Sequence, residues 1–240
     1  MPAHTERDET IEVNDGAFRA HLALPPAGSG PGLLLLQEIF GVNDFLRGKA
    51  AELAGLGYVV LAPDVFWRVE PGLDLPHDEA ALEKGFAVVG RYQAEVDQAT
   101  KVADLLAALG HLRSLPETSG RKVGVIGYCL GGLLAYLVAA EGDPDACVSY
   151  YGSGIANLLD LAGHIECPVL SHFGGKDPYI PADQVERIKQ AFEGRDDVTV
   201  RVEPDAGHAF ENLLAPQFAV PEAARRSFAA TTEWLAANLA

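Results

Sequence analysis

Cations are scarce in this sequence: 18 Lys and Arg face 34 Asp and Glu among 240 residues, a formal net charge of −16. Binding to phosphate needs a basic footprint, so neither nucleic acid nor an anionic membrane is an expected partner. Cysteine is nearly absent as well. Cys129, Cys147 and Cys167 form no CxxC pair and no Cys/His cluster at metal-ligand spacing. That excludes a disulfide framework or a structural metal site and points to a reducing compartment, the cytoplasm. The first nine residues, Met1 to Glu9, are charged and carry no apolar core, so no signal peptide is predicted. Long uncharged apolar runs are few; Val123 to Ala140, 18 residues without a charge, reaches the length of a membrane span. Its β-branched first half and its four glycines favour a buried strand turning into a buried helix.

What is present suits a globular enzyme. The chain is 48% apolar, and a chain of this size buries roughly 70–75% of the surface its unfolded form exposes. No repeat or long linker divides it, so residues 1–240 are expected to form a single domain. Ile11–Val13 and Ala17–Leu24 read as an antiparallel opening around Asn14-Asp15-Gly16. Strands then alternate with helices. Strands are expected at Leu33–Gln37, Tyr58–Ala62, Lys122–Tyr128, Ala146–Tyr151, Pro168–Phe173 and Val198–Glu203. Helices are expected at Phe45–Leu56, within Glu79–Leu112 (one or two, the second at Gln93–Leu109), at Leu130–Glu141, near Pro181–Phe192 and at Pro221–Leu239. This order implies right-handed crossovers and an α/β fold whose central sheet is mostly parallel, with helices on both faces. Ligand sites in such sheets lie beyond the carboxyl ends of the strands.

The segment Gly127-Tyr128-Cys129-Leu130-Gly131 closes one predicted strand and opens a helix. It is a G-x-C-x-G form of the nucleophile elbow. The turn presents a sulfur at a helix N-terminus, where the dipole favours a thiolate, and aims the Leu130 N–H at a developing oxyanion. The other reading of Cys129 is a buried structural thiol, the usual fate of a free cysteine. An elbow of this type requires an acid after a later strand and a histidine after the last one. Asp177, in Gly174-Gly175-Lys176-Asp177-Pro178, and His208, in Ala206-Gly207-His208-Ala209-Phe210, meet that order. Asp183 and Asp205 are rival acids, the first placed to open a helix and the second too close to His208 in sequence. Cys147 and Cys167 carry no elbow and read as structural. His172 falls inside a strand, and His4, His21, His77, His111 and His164 read as surface or loop residues.

These motifs resemble the dienelactone hydrolase family over about residues 10–235. The likeness rests on Gln37-Glu38-Ile39-Phe40-Gly41, Ala62-Pro63-Asp64, Gly127 to Gly132, Tyr150-Tyr151-Gly152, Gly174 to Pro178 and Gly207 to Phe210. It implies a single-domain α/β-hydrolase fold and a catalytic triad of Cys129, His208 and Asp177. It also implies that Ile39 supplies a second oxyanion N–H and that Glu38 receives the thiol proton when substrate binds. From residue type alone, Glu38 could equally be a buried carboxylate paired with Arg47. The expected activity is hydrolysis of a small ester or lactone of the carboxymethylenebutenolidase type through a thioester acyl-enzyme. No metal and no organic cofactor are called for. Members of the family hold a substrate carboxylate with arginines. Here Asn212 stands four residues after His208, and Asp78 to Lys84 offers no arginine. Arg91 and Lys84, the nearest cations, read as solvated helix residues. A neutral ester or lactone is therefore an alternative substrate, with Phe40, Trp67, Tyr151 and Asn212 as candidate contacts; Tyr150 and Phe66 are further aromatics that could line the pocket. Two other readings stay open: a non-catalytic ligand-binding protein of the same fold, and a peroxide-sensing thiol. A monomer or small homo-oligomer is expected.

Overall fold

The computed structural model describes residues 5–240, which fall into two compact α/β units, Met1–Gly124 and Val125–Ala240. The sequence expectations for Met1 to His4 lie outside the described residues.

In the first unit the strands are β1 (Thr5–Val13), β2 (Gly16–Leu24), β3 (Gly32–Leu36) and β4 (Val59–Pro63), ordered β1-β2-β4-β3. β1 and β2 form an antiparallel hairpin in register from Thr5↔Leu24 to Val13↔Gly16, β2 pairs antiparallel with β4, and β4 lies parallel to β3. β1 is six residues longer than its apolar pattern suggested. Its polar outer half, Thr5 to Thr10, is a mostly exposed, charge-rich edge strand, a composition that discourages pairing with another chain. Every residue of β3 and β4 is buried, as expected for strands covered on both faces.

Three helices belong to this unit: α1 (Asp44–Gly55), α2 (Glu79–Glu95) and α3 (Gln98–Ser114). α1 packs on β2 and β4, and α3 on β1, β3 and β4. Each begins at a side-chain cap. Asn43 accepts from the Leu46 N–H, Asp78 from Ala81 and Asp97 from Thr100, which satisfies donors that the first turn leaves open. The break between α2 and α3 falls at Val96-Asp97 rather than before Gln93, because Asp97 starts a new helix there.

The second unit continues with β5 (Val123–Tyr128), α4 (Leu130–Glu141), β6 (Cys147–Tyr150), β7 (Val169–Gly174), α5 (Ala182–Ala191), β8 (Val198–Glu203) and α6 (Pro221–Leu239). Its strands run β5-β6-β7-β8, all parallel, with Tyr128↔Tyr150↔His172↔Arg201 in one row. The uncharged run Val123 to Ala140 is β5 turning into α4. No helix among the described residues is long and apolar enough to cross a membrane. α4 packs on β6, and α6 on β7.

Candidate active site

All three members of the expected triad lie in the second unit, beyond the carboxyl ends of β5, β7 and β8. Cys129 follows β5 and caps α4 with φ 55° and ψ −116°, a conformation that side chains rarely adopt. The bend is held by the backbone. The Cys129 N–H donates to the Tyr150 carbonyl at 3.0 Å, and the Cys129 carbonyl accepts from Gly132 at 2.9 Å. A Cβ at Gly127 would lie 1.9 Å from the Gly131 oxygen, and one at Gly132 would lie 2.6 Å from the Tyr150 oxygen. Glycine is therefore the residue that lets the turn close. No side chain caps α4, so its first-turn N–H groups, Leu130 among them, are left at the sulfur's end of the helix.

The loops carrying Asp177 and His208 are fastened to each other through main-chain contacts. The Gly175 N–H donates to the Glu203 carbonyl and the Lys176 N–H to the Ala206 carbonyl, both at 2.8 Å. A Cβ at Gly174 would come within 2.4 Å of the Gly207 oxygen. Asp177 then accepts from the Tyr179 N–H at 2.8 Å through Oδ1 and meets His208 Nδ1 at 2.7 Å through Oδ2. The opposite ring nitrogen, His208 Nε2, stands 3.1 Å from Cys129 Sγ. One imidazole thus bridges a half-buried thiol and a fully buried carboxylate.

Burial is the largest influence on His208 and disfavours its charge. It is outweighed by the charge of Cys129 and by hydrogen bonds to Asp177 and Cys129, which together hold the ring's pKa up to about 10. Burial acts on the other two thiols as well, disfavouring the thiolate. Burial pushes Cys147 up, and lifts Cys167 to about 11. The rival acids are occupied elsewhere: Asp183 lies in the first turn of α5, and Asp205 pairs with Lys176 at 3.0 Å.

Tyr151 is buried, with φ 38°, and its ring lies 5.2 Å from the His208 ring; Tyr179 meets the same imidazole edge-on at 5.0 Å. Asn212 is fully buried, and its Oδ1 accepts from the Leu214 N–H at 3.1 Å, so this side chain shapes the loop after His208. The chain neighbours of the histidine include Ala209, also at positive φ.

In the first unit, Glu38, Ile39 and Phe40 follow β3 and are buried. Read as a structural carboxylate, Glu38 would pair with a neighbour such as Arg47. Instead Arg47 turns to Asp44, Asp74 and the Val42 carbonyl, while Glu38 Oε2 meets His77 Nε2 at 3.5 Å. His77 is accordingly no surface residue: its ring packs edge-on against Phe40 at 4.5 Å. Sequence distance hid this pair. The segment around Leu73–His77 folds back along Phe40–Asn43, with Val42 N–H donating to Leu73, Leu75 N–H to Phe40, and Asn43 Nδ2 to Leu75. Trp67 is committed to its own surroundings. It stacks on Phe18, lies under the Arg68 guanidinium and donates from Nε1 to Asp104 at 2.9 Å. Lys84 and Arg91 are exposed residues of α2, as expected, and each pairs at the surface with Glu70. Among the described residues no group of His, Cys, Asp and Glu could hold a metal ion.

Residues 18–239 match the dienelactone hydrolase family. A carboxymethylenebutenolidase of Pseudomonas sp. (strain P51) is 42% identical over 221 residues, 92% of this chain and 90% of that protein. The carboxymethylenebutenolidase of Pseudomonas putida is 37% identical over 217 residues, 90% of each chain. Among solved structures, a dienelactone hydrolase-like promiscuous phosphotriesterase from metagenomic libraries superposes with a TM-score of 0.84 at 27% identity, covering 99% of this chain and all of that one.

Proposed function

The chain belongs to the dienelactone hydrolase family and is an ester or lactone hydrolase; we propose that Cys129 is its nucleophile and that the reaction passes through a thioester. The observation that carries this reading is the His208 imidazole, 3.1 Å from Cys129 Sγ on one side and 2.7 Å from Asp177 on the other. His208 takes the thiol proton. The thiolate attacks the carbonyl carbon, and the electron pair of the C=O moves to its oxygen, which the Leu130 N–H at the start of α4 is placed to hold. The C–O bond of the ester then breaks, the leaving oxygen is protonated from His208, and the acyl group stays on sulfur. Water, deprotonated by the same imidazole, attacks the thioester and releases the acid with the thiolate. Asp177 fixes the ring so that Nε2 serves both steps, and it stabilises the imidazolium.

A thiolate leaves a tetrahedral centre more readily than an alkoxide does. Forward collapse therefore demands a stabilised leaving oxygen, and an enol lactone, whose enolate becomes a ketone, supplies one. Relatives named carboxymethylenebutenolidase support such a substrate here. Asn212 supports a second reading, a neutral lactone or ester, since this buried amide brings no positive charge to a substrate carboxylate. The resemblance offers Glu38, in place of His208, as the acceptor of the thiol proton, and Ile39 as a second N–H donor. Burial of both, and the pairing of Glu38 with His77, support keeping them. Three free thiols support residence in the cytoplasm.

Acid quenching during turnover of an aryl ester, followed by peptide mass spectrometry, is expected to find the acyl group on Cys129. Cys129→Ala is expected to lose turnover by on the order of 10⁴-fold or more. Full activity in that variant would overturn the nucleophile. Relative rates on the dienelactone and on an uncharged enol lactone decide between the two substrates.

A further inference from the structure

α6 presents a buried stripe of Ala223, Ala224, Ser227, Thr231, Leu235 and Leu239 to the sheet. Thr231 is the polar member at its centre, with no exposure at all. A buried hydroxyl is costly unless hydrogen-bonded, and this one has two partners from neighbouring strands. Tyr150 Oη lies 2.6 Å from Thr231 Oγ1 and His172 Nε2 lies 3.0 Å from it. The two rings stack on each other with centroids 4.5 Å apart. Burial, aided by the charge of Arg201, lowers the His172 pKa to about 3, so the ring is neutral with a single N–H. His172 Nδ1 has no partner among the described residues, so a proton on Nε2, facing Thr231, is the tautomer that pairs that N–H.

The backbones of these residues carry the active site. The Tyr150 carbonyl accepts the Cys129 N–H at 3.0 Å, and the His172 carbonyl accepts the Tyr151 N–H at 2.7 Å. Tyr151, held at φ 38°, packs against His208, while Phe210 packs against both Tyr150 and Tyr151. A strained backbone persists only where its surroundings over-determine it. The side-chain clamp at Thr231 sits one residue from that strain.

We infer that Thr231 is a positioning residue for the triad: by clamping Tyr150 and His172 it fixes the Tyr150-Tyr151 backbone on which the Cys129 amide and the His208 ring rest. The inference rests on the reading of Cys129, His208 and Asp177 as the reacting groups. Misplacement of reacting atoms by a fraction of an ångström lowers the rate of the chemical steps more than it weakens binding.

The test compares Thr231→Val, which keeps shape and loses the hydroxyl, with Thr231→Ser, which keeps the hydroxyl. Wild type and both variants are assayed on p-nitrophenyl acetate well below their melting temperatures. Thr231→Val is expected to lower kcat about tenfold with KM within about twofold, and Thr231→Ser to restore kcat to within about twofold of wild type. Should Thr231→Val fail to fold, Tyr150→Phe, which keeps the ring stack and removes one partner, is expected to show a several-fold loss on the same side. The inference is overturned by an unchanged kcat in Thr231→Val or, failing that variant, in Tyr150→Phe. It is equally overturned by a loss confined to melting temperature or KM, or by one that Thr231→Ser shares in full. Cys129→Ala, run alongside, separates the two claims: activity there removes the triad reading, whereas an inactive Cys129→Ala beside a fully active Thr231→Val removes only the role of Thr231.

Discussion

The two units are assembled by different rules. In the first, α1, α2 and α3 all start at side-chain caps, and among the described residues positive φ occurs on glycines alone: Gly28, Gly41, Gly57, Gly72 and Gly120. In the second, α4, α5 and α6 start at Cys129, Pro181 and Val220 with no side-chain cap, and positive φ falls not only on Gly154 and Gly194 but on three residues with side chains, Cys129, Tyr151 and Ala209. Two of these three are the proposed nucleophile and the neighbour of the histidine, and the third packs on that histidine. The first unit follows local preference nearly everywhere. The second departs from it where the chemistry is proposed, which is the pattern expected when strain is spent on presenting reactive groups.

The sharpest way to break this comparison is a methyl group placed in each unit. Gly127→Ala drives a Cβ to within 1.9 Å of backbone that cannot retreat without undoing the elbow, so a loss of roughly 3–5 kcal/mol in chemical denaturation, with activity, is expected. Gly28→Ala sits at positive φ with nothing within 4 Å, and a cost of about 1 kcal/mol is expected there. Equal costs would show that the elbow is no tighter than an ordinary loop.

Proton binding offers a smaller lever that acts on the second unit alone. The His208 pKa is raised from 6.5 to about 10. A base held up in the fold gives its full stabilisation below its unfolded pKa, here about 6.5, and loses it as pH climbs through the folded value. Asp177→Asn removes a hydrogen bond and a charge that raise that pKa. The melting temperature of wild type relative to Asp177→Asn is therefore expected to decline between pH 6.5 and 10. A constant difference over that range would mean that the carboxylate does not sustain the imidazolium.

The mildest perturbation is the loss of a cap. Asp97→Ala at the start of α3 is expected to cost about 1 kcal/mol, a few degrees of melting temperature in a chain of this size, with kcat unchanged. A drop in kcat would blur the division between the two units.

The grouping of Cys129, Asp177 and His208 was legible in the sequence because its grammar is local. An elbow fits five residues, and an acid and a histidine each follow a strand of clear apolar pattern. Strand order then supplies the long-range part at no informational cost. The pairing of Glu38 with His77 was not legible, since it depends on the Leu73–His77 segment folding back along Phe40–Asn43, where no periodicity marks either piece. The outer half of β1 was missed for a related reason: its pairing to β2 is main-chain, and its charged side chains carry no strand pattern. Thr231 left no sequence signal, because a threonine on a helix reads as a surface residue until the ring stack beneath it is seen.

The half-buried sulfur at the elbow has one more consequence. Burial closes Cys147 to reagents, and the half-buried Cys167 has its pKa lifted to about 11, so at neutral pH a maleimide dye is expected to label Cys129 ahead of Cys167. A brief, substoichiometric treatment then places a spectroscopic reporter chiefly at residue 129.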